Sequence, residues 1–156
     1  MFLDCLKEFL VAMLPVVELR GAIPFAQTLG IPLSIAFPVA ILGNMFPVPF
    51  ILLFFDKATV WFRNVPVIGK IFAWVDKRAT AKAEGIKRLE FWAIVAFVAI
   101  PLPGTGAWTG SVVATALGMK LRKSIPAVLI GVLIAGLLMS LLSYGLWGYI
   151  VSLFQS

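Results

Sequence analysis

The sequence predicts an all-α polytopic membrane protein, built as an inverted repeat whose halves are joined by an interfacial amphipathic helical segment. Each half is a re-entrant helical hairpin followed by one transmembrane helix. Of the 156 residues, 62% are hydrophobic and 13% are charged, whereas soluble domains have about 45–50% and 25%. Two further observations support the prediction: uncharged apolar stretches of membrane-spanning length, and a match of the chain to itself at an offset of 88 residues.

Two apolar stretches are long enough to be membrane spans, since a transmembrane helix needs about 20 apolar residues. The first covers residues 33–55 and is interrupted by Pro38, Pro47 and Pro49. The second covers residues 124–154 and contains no charged residue. Both are predicted to cross the bilayer.

The apolar stretch 91–119 is predicted to be a re-entrant hairpin. Prolines and glycines in its middle, at residues 101–106, should end a helix. Each arm then has about 15–18 Å of helix at 1.5 Å per residue, which is about half the depth of the hydrocarbon core. Basic residues flank the stretch on both sides, which favours the cytoplasm for both ends. One kinked spanning helix is the alternative.

Internal similarity pairs residues 14–43 with 102–131, with eight identities in thirty positions. A hairpin and one span make an odd number of crossings, so the second copy should be inverted relative to the first. The predicted organisation is repeat 1 at 1–55 (hairpin 2–30, span 33–55), a connector at 56–90, and repeat 2 at 91–156 (hairpin 91–119, span 124–154). The identities that involve proline or glycine are Pro15/Pro103, Gly30/Gly118, Pro38/Pro126 and Gly43/Gly131.

The net charge of +6 is concentrated in one block. Residues 56–123 hold eleven basic and four acidic residues, and the basic residues alternate with aromatic ones, as is typical of a membrane interface. The spacing of apolar residues over 67–75 predicts a helix lying in the interface plane. We therefore expect a multi-pass protein of a bacterial or archaeal inner (cell) membrane, with residues 56–90 in the cytoplasm and no nucleic acid as partner.

The chain has one cysteine and no histidine. A disulfide framework and a cysteine-ligated metal site are therefore excluded, as are catalytic sites built on histidine and HExxH zinc sites. We expect no enzyme activity, no metal and no cofactor.

Glu18 and Arg20 are charged residues at predicted membrane depth, where ionisable groups by default mark a substrate or proton path. The 88-residue offset places them opposite Gly106 and Trp108 in the second hairpin. Two structural alternatives remain open: Glu18 could cap the outgoing helix of its own hairpin, or it could simply pair with Arg20.

The outgoing helix at each hairpin tip should present free N–H groups and the positive end of its dipole toward the midplane. With Arg20 and the hydroxyls of Thr105 and Thr109, the tips would suit an anion such as a carboxylate or phosphate. Burial favours the protonated acid, so Glu18 is expected to take up and release a proton. The candidate substrate- and proton-binding residues are Glu18, Arg20, Gly21, Pro103, Gly104, Thr105, Gly106, Trp108 and Thr109.

The segments PVVELRGAIP (residues 15–24) and PLPGTGAWTG (residues 101–110) resemble the two signatures of the small multidrug export protein family, which is grouped with the DedA superfamily. The resemblance implies re-entrant hairpins in inverted repeats, proton-dependent physiology and flipping of lipid carriers such as undecaprenyl phosphate. It also implies that Glu18 is the acid of the first hairpin. Pro103 and Gly104 resemble the Pro-Gly pair of the second DedA hairpin. DedA proteins carry an arginine shortly after that pair, whereas this chain has TGAW at residues 105–108, and here we expect Arg20 to take the place of the arginine.

The predicted function is therefore a proton-coupled transporter or lipid flippase that moves an amphipathic, anionic or lipid-phosphate substrate by alternating access at the hairpin tips. Its predicted partners are the lipid bilayer and an amphipathic small molecule or lipid carrier. Two alternatives are a small multidrug efflux protein for lipophilic cations, which the positive charge of Arg20 disfavours, and a non-transporting assembly or scaffold protein. Because two spans would shield the tips thinly, we also expect a homodimer.

Overall fold

The protein is described by a computed structural model that covers residues 1–63, 83–102 and 104–145. All regular elements in these residues are helices, which confirms the prediction of an all-helical chain for this part. The predicted interfacial helix at 67–75 and the end of the second span, 146–154, lie outside the described residues. The helices are α1 (Phe2–Met13), α2 (Glu18–Thr28), α3 (Leu33–Met45), α4 (Val48–Arg63), α5 (Ala83–Ala99), α6 (Ala107–Ala116) and α7 (Leu121–Ser140), with a π-helical turn at Leu141–Gly145.

Among the described residues, two segments are long and apolar enough to cross a membrane, Leu33–Phe55 and Leu121–Gly145. The first consists of α3 and the first half of α4, which are separated by a bend at Phe46 and Pro47, since proline lacks the N–H that a continuous helix would need. The second begins at Leu121 rather than at the expected residue 124. Both coincide with the predicted spans over most of their length.

Large apolar side chains face outward along both spans. Phe50 is 62% exposed on the first, and Leu137 is 57% exposed on the second. Small residues such as Ala40 and Ala127 are among the buried positions, together with larger ones such as Leu52. A soluble protein rarely exposes so much contiguous apolar surface, whereas lipid covers it at no cost. The two spans and their exposed faces indicate a membrane location.

Proline and glycine interrupt the helices at both predicted hairpin tips. The first tip is residues 14–17, between α1 and α2, and the second is residues 100–106, between α5 and α6. Gly104 has a φ of +86°, which only glycine adopts without steric cost. The break predicted within 91–119 is therefore present, and α5 begins upstream of it, at Ala83. That the chain turns back to the same membrane face stays a prediction.

The turns that follow α2 and α6 have the same backbone geometry. Gly30 and Gly118, which the 88-residue offset pairs, both have a φ of +72°. In each turn the amide after the glycine donates to the carbonyl oxygen five residues earlier, at 3.0 Å. This is the Schellman ending of a helix, which requires a left-handed residue. The sequence repeat thus corresponds to a repeated local structure.

A second matched pair of glycines lies where the first helix of each half crosses its own span. A Cβ on Gly43 of α3 would lie 2.5 Å from the carbonyl oxygen of Phe9 in α1. A Cβ on Gly131 of α7 would lie 2.9 Å from the carbonyl oxygen of Val95 in α5. Such close approach of backbones is the usual role of small residues between membrane helices. The two halves share this packing, and their inverted relation stays a prediction.

Gly131→Ala is expected to lower the free energy of unfolding by about 1–3 kcal/mol, because the added methyl group would press on α5. Gly136→Ala is the matched control: its Cβ would lie 3.0 Å from Phe37 and 3.1 Å from Ile41, at side-chain ends that can shift. Both substitutions gain the same helix propensity. Thermal unfolding in detergent measures the difference, and equal shifts would contradict the close crossing at Gly131.

Candidate functional site

Glu18 is the first residue of α2, directly after the first tip. Its φ is +50°, and it is the non-glycine residue with a positive φ in the part of the chain that the structure describes. That conformation costs an L-residue about 1–2 kcal/mol. Its side chain is also buried, with the residue 3% exposed. The interactions of the carboxylate must therefore offset both backbone strain and desolvation.

The Glu18 carboxylate caps a helix of the other half. Its Oε1 accepts the N–H of Trp108 at 3.0 Å, and its Oε2 accepts the N–H of Ala107 at 3.2 Å. These amides are the first two of α6, and such amides have no partner within their own helix. The positive end of the α6 dipole also favours a negative charge there. The capping alternative is thus observed, but on α6 and not on α2 as the sequence suggested.

Gly106 leaves the space in which the Glu18 carboxylate lies. It is the N-cap residue of α6, and a Cβ built on it would overlap the carboxylate. It is also the residue that the 88-residue offset pairs with Glu18. The position opposite Glu18 in the repeat is therefore glycine for a steric reason, since any side chain there would displace the cap.

Arg20 connects Glu18 to the end of α5. Its Nη1 donates to Glu18 Oε2 at 3.1 Å. Its Nη2 lies within hydrogen-bonding distance of the carbonyl oxygens of Val98 (3.0 Å) and Ile100 (2.8 Å), and of both Thr105 oxygens, each at 3.2 Å. Two N–H groups are thus shared among four acceptors. A cation is also stabilised at a helix C-terminus, so Arg20 binds the end of α5 by charge as well as by hydrogen bonds.

Trp108 makes the corresponding contact with the first half. Its indole Nε1 donates to the carbonyl oxygen of Met13, the last residue of α1, at 3.0 Å. The 88-residue offset pairs Trp108 with Arg20, and each of the two binds the end of the first helix of the opposite half. The two tips are therefore held together by reciprocal contacts.

The predicted ligand hydroxyls are engaged inside the second tip. The Thr105 hydroxyl donates to the carbonyl oxygens of Ile100 at 2.7 Å and Leu102 at 2.9 Å. The Thr109 hydroxyl donates to the carbonyl oxygen of Gly104 at 2.8 Å. In this conformation both hydroxyls stabilise the loop that receives Arg20.

Two of the predicted site residues contribute no observed contact between the tips, one because of its position and one because the structure does not describe it. Gly21 is inside α2, where a Cβ would overlap the side chain of Val17, and Pro103 lies outside the described residues. The remaining predicted residues are brought together, and those that join the two halves directly are Glu18, Arg20, Thr105, Gly106 and Trp108.

Sequence reasoning missed two buried polar residues away from the tips. Glu8 in α1 and Asn44 in α3 are each 0% exposed, and their side-chain oxygen and nitrogen atoms have no hydrogen-bond partner among the described residues. The neighbouring charges Asp4 and Lys7 make the start of the chain resemble a solvent-facing segment. The available signal was spacing, since Glu8 lies one turn before Ala12 and thus on the same helix face.

The comparisons with known proteins come from three searches. The family model described as "Putative small multi-drug export protein" matches residues 18–138, from the capping carboxylate through the second tip and into the second span. Searches of curated proteins and of solved structures gave no match. The match confirms the family resemblance, while the relation to the DedA superfamily stays a prediction. Since the model covers well over half of the chain, this helical membrane protein belongs to the family of putative small multi-drug export proteins.

Proposed function

We propose that the protein is a proton-coupled membrane transporter that moves an amphipathic anionic substrate, such as a lipid phosphate, through the interface of the two tips. The observation that supports this most is the environment of the Glu18 carboxylate. Two helix amides and the Arg20 guanidinium surround it, and these are the donors that bind phosphate and carboxylate groups in proteins. Glu18 therefore fills an anion site from within the chain.

A substrate anion and Glu18 would compete for the same donors. Protonation of Glu18 removes its charge, so it releases Arg20 and the α6 amides. A phosphate or carboxylate headgroup can then bind in its place. Loss of the proton restores the internal contacts and expels the anion. Because the proton and the anion favour each other's binding, the two would move in the same direction.

The same exchange would open the path. Arg20 and Trp108 attach each tip to the end of the opposite half's first helix. With hairpins 2–30 and 91–119 entering from opposite membrane faces, parting of the tips would expose the anion site to one face at a time, as in transporters built from inverted repeats. This mechanism is one of alternating access, and it includes no enzymatic step, metal or cofactor.

The family description favours a second candidate, the export of small drugs. To bind lipophilic cations, the site would need a carboxylate with no fixed positive charge beside it. Transport in proteoliposomes separates the two, with an undecaprenyl phosphate probe or ethidium, each with and without a proton gradient. We expect lipid-phosphate movement in the wild type to depend on the gradient. In Arg20→Ala the movement should fall at least about tenfold, because the variant loses the free energy of about one charged hydrogen bond. In Glu18→Gln the movement of lipid phosphate should no longer depend on the proton gradient.

Lys7→Ala is the matched control for these variants, since Lys7 is an exposed cation paired with Asp4, and it should transport like the wild type. Ethidium movement that improves in Arg20→Ala would favour drug export. Unchanged transport in both site variants would contradict the proposed site. If the wild type transports neither probe, an assembly or scaffold role is left.

The inverted arrangement, the inner-membrane location and the homodimer belong to the same proposal. A compartment-sensitive reporter fused after Ser156 should signal from outside the cell, and one inserted within 64–82 should signal from the cytoplasm. A cytoplasmic signal after Ser156 would contradict the inversion. The mass of the protein in mild detergent tests the dimer, and a monomeric mass would contradict it.

A further inference from the structure

Glu8 is a buried carboxylic acid in the middle of α1, away from the Glu18 site. It is completely buried, and neither of its oxygens has a hydrogen-bond partner among the described residues. It also precedes residue 18, where the family match begins. Since an isolated ionised carboxylate is strongly disfavoured in an apolar interior, Glu8 must carry a proton or a cation.

The charged groups near Glu8 on its own helix are already paired. The side chain of Lys7 and the terminal amine of Met1 both bind the Asp4 carboxylate, each at 3.0 Å. Cys5, one turn before Glu8, is partly buried and free of a disulfide. No cation of α1 therefore neutralises Glu8.

The elements packed against α1 supply no free cation either. They are α2 and α3. On α2, Arg20 is bound to Glu18, and α3 has no titratable residue. From the π-helical turn after α7, the Tyr144 phenol lies within electrostatic range of Glu8, and it donates to the carbonyl oxygen of Ile31 at 2.8 Å. Within the described residues of these elements, no unpaired cation is thus present to neutralise Glu8.

Asn44 is a buried polar residue near the crossing of α1 and α3. It follows Gly43, whose backbone lies against α1 at Phe9 and Ala12, so it is one residue along the chain from this crossing. Its amide is fully buried, and both its oxygen and its nitrogen lack partners among the described residues. An amide can accept the O–H of a protonated acid and can donate N–H to a carboxylate. The unpartnered and buried Ser140 hydroxyl, one turn before Tyr144, adds a further polar group to the interior.

We propose that Glu8 is a proton-binding site inside the helix bundle, separate from the Glu18 site, and that Asn44 is its positioning residue. The step is reversible: a hydronium ion gives its proton to a Glu8 carboxylate oxygen, which leaves water and a neutral carboxylic acid. This goes beyond the proposed function, because Glu18 must give up an ion pair to bind a proton, whereas Glu8 has none to give up. It holds whether or not the protein moves a lipid phosphate.

Infrared difference spectra of the full chain in phospholipid vesicles, recorded on stepping the pH, test the proposal. The C=O stretch of a protonated carboxylic acid is separate from the amide and carboxylate bands. Acidification protonates several carboxylates, Glu18 among them under the proposed function, and we expect Glu8 to contribute one distinct component of this band with an amplitude of one acid per chain. Glu8→Gln should abolish it, and the matched control Glu18→Gln should retain it. Asn44→Ala should keep the amplitude but shift the frequency of the band, since the substitution removes the buried amide that we propose positions the acid.

Three results would overturn the proposal. If Glu8→Gln removes no pH-dependent band from the spectrum, Glu8 does not exchange a proton. A band present at every pH would mean a permanently neutral, structural acid. Suppression of the band by sodium ions alone would assign the site to a metal cation. If Glu8→Gln fails to fold, the effect of Asn44→Ala on the wild-type band still decides. Transport is not the readout, so failure here is distinguishable from failure of the proposed transport.

Discussion

Glu18→Ala is expected to lower the free energy of unfolding by about 3–5 kcal/mol, the usual effect of breaking a buried ion pair from one side. The substitution leaves the Arg20 guanidinium without its counter-ion, and the first amides of α6 without an acceptor. The Arg20 side chain is only 15% exposed, so water cannot fully replace the lost contacts. Denaturant or thermal unfolding in detergent measures the effect.

A double-mutant cycle with Arg20→Ala gives the coupling between the two residues. We expect the double variant to lose less stability than the sum of the single losses, by about 1–3 kcal/mol, because the second truncation removes a charge that the first left unpaired. Trp108→Phe is the matched control at the same interface: it removes one neutral hydrogen bond, to Met13, for about 1 kcal/mol. Strict additivity of the Glu18 and Arg20 losses would contradict the ion pair.

Gly106→Ala is expected to destabilise the protein by about 3 kcal/mol or more, although the substitution adds a single methyl group. The new Cβ would overlap the Glu18 carboxylate. Overpacking costs about 1–3 kcal/mol, and the displaced carboxylate would also lose its bonds to α6 and to Arg20. The same variant should transport lipid phosphate poorly, because its anion site is obstructed in both states.

Two comparisons test whether Gly106→Ala lowers the stability of the protein through the Glu18 carboxylate. Gly145→Ala adds a methyl group where no other atom of the described residues lies within 4 Å, and it should change stability by less than about 0.5 kcal/mol. In the Glu18→Ala background there is no carboxylate to displace, so Gly106→Ala should cost much less there than in the wild type. An equal cost in both backgrounds would contradict the contact.

The repeat in the sequence is the most informative predictor of the site. It pairs Glu18 with Gly106 and Arg20 with Trp108, and the folded chain brings these four residues together. The reason is physical: proline and glycine end helices through local backbone sterics. Prolines and glycines at matched positions therefore produce matched helices and matched tips. Charge in an apolar segment likewise identifies Glu18 and Arg20, because an unpaired ion is costly there.

Side-chain partners could not be predicted in the same way. The sequence suggested that the Thr105 and Thr109 hydroxyls would face a ligand, whereas both bind carbonyl oxygens of their own loop. It placed Glu8 within the first hairpin without a role, whereas the packing of α1 against α2 and α3 buries it completely. A hydroxyl or a carboxylate takes whichever partner folding brings within about 3 Å, and local spacing does not contain that information.

The sequence by itself determined the helical membrane architecture, the positions of the breaks and the family, because hydropathy and helix termination act over a few neighbouring residues. Tertiary structure decided that Glu18 caps α6 and that Arg20 binds the end of α5. These contacts join residues 78 to 90 positions apart. Partners so distant in the chain meet only when the two halves pack, and for that reason the contacts of Glu18 and the burial of Glu8 are properties of the assembled fold.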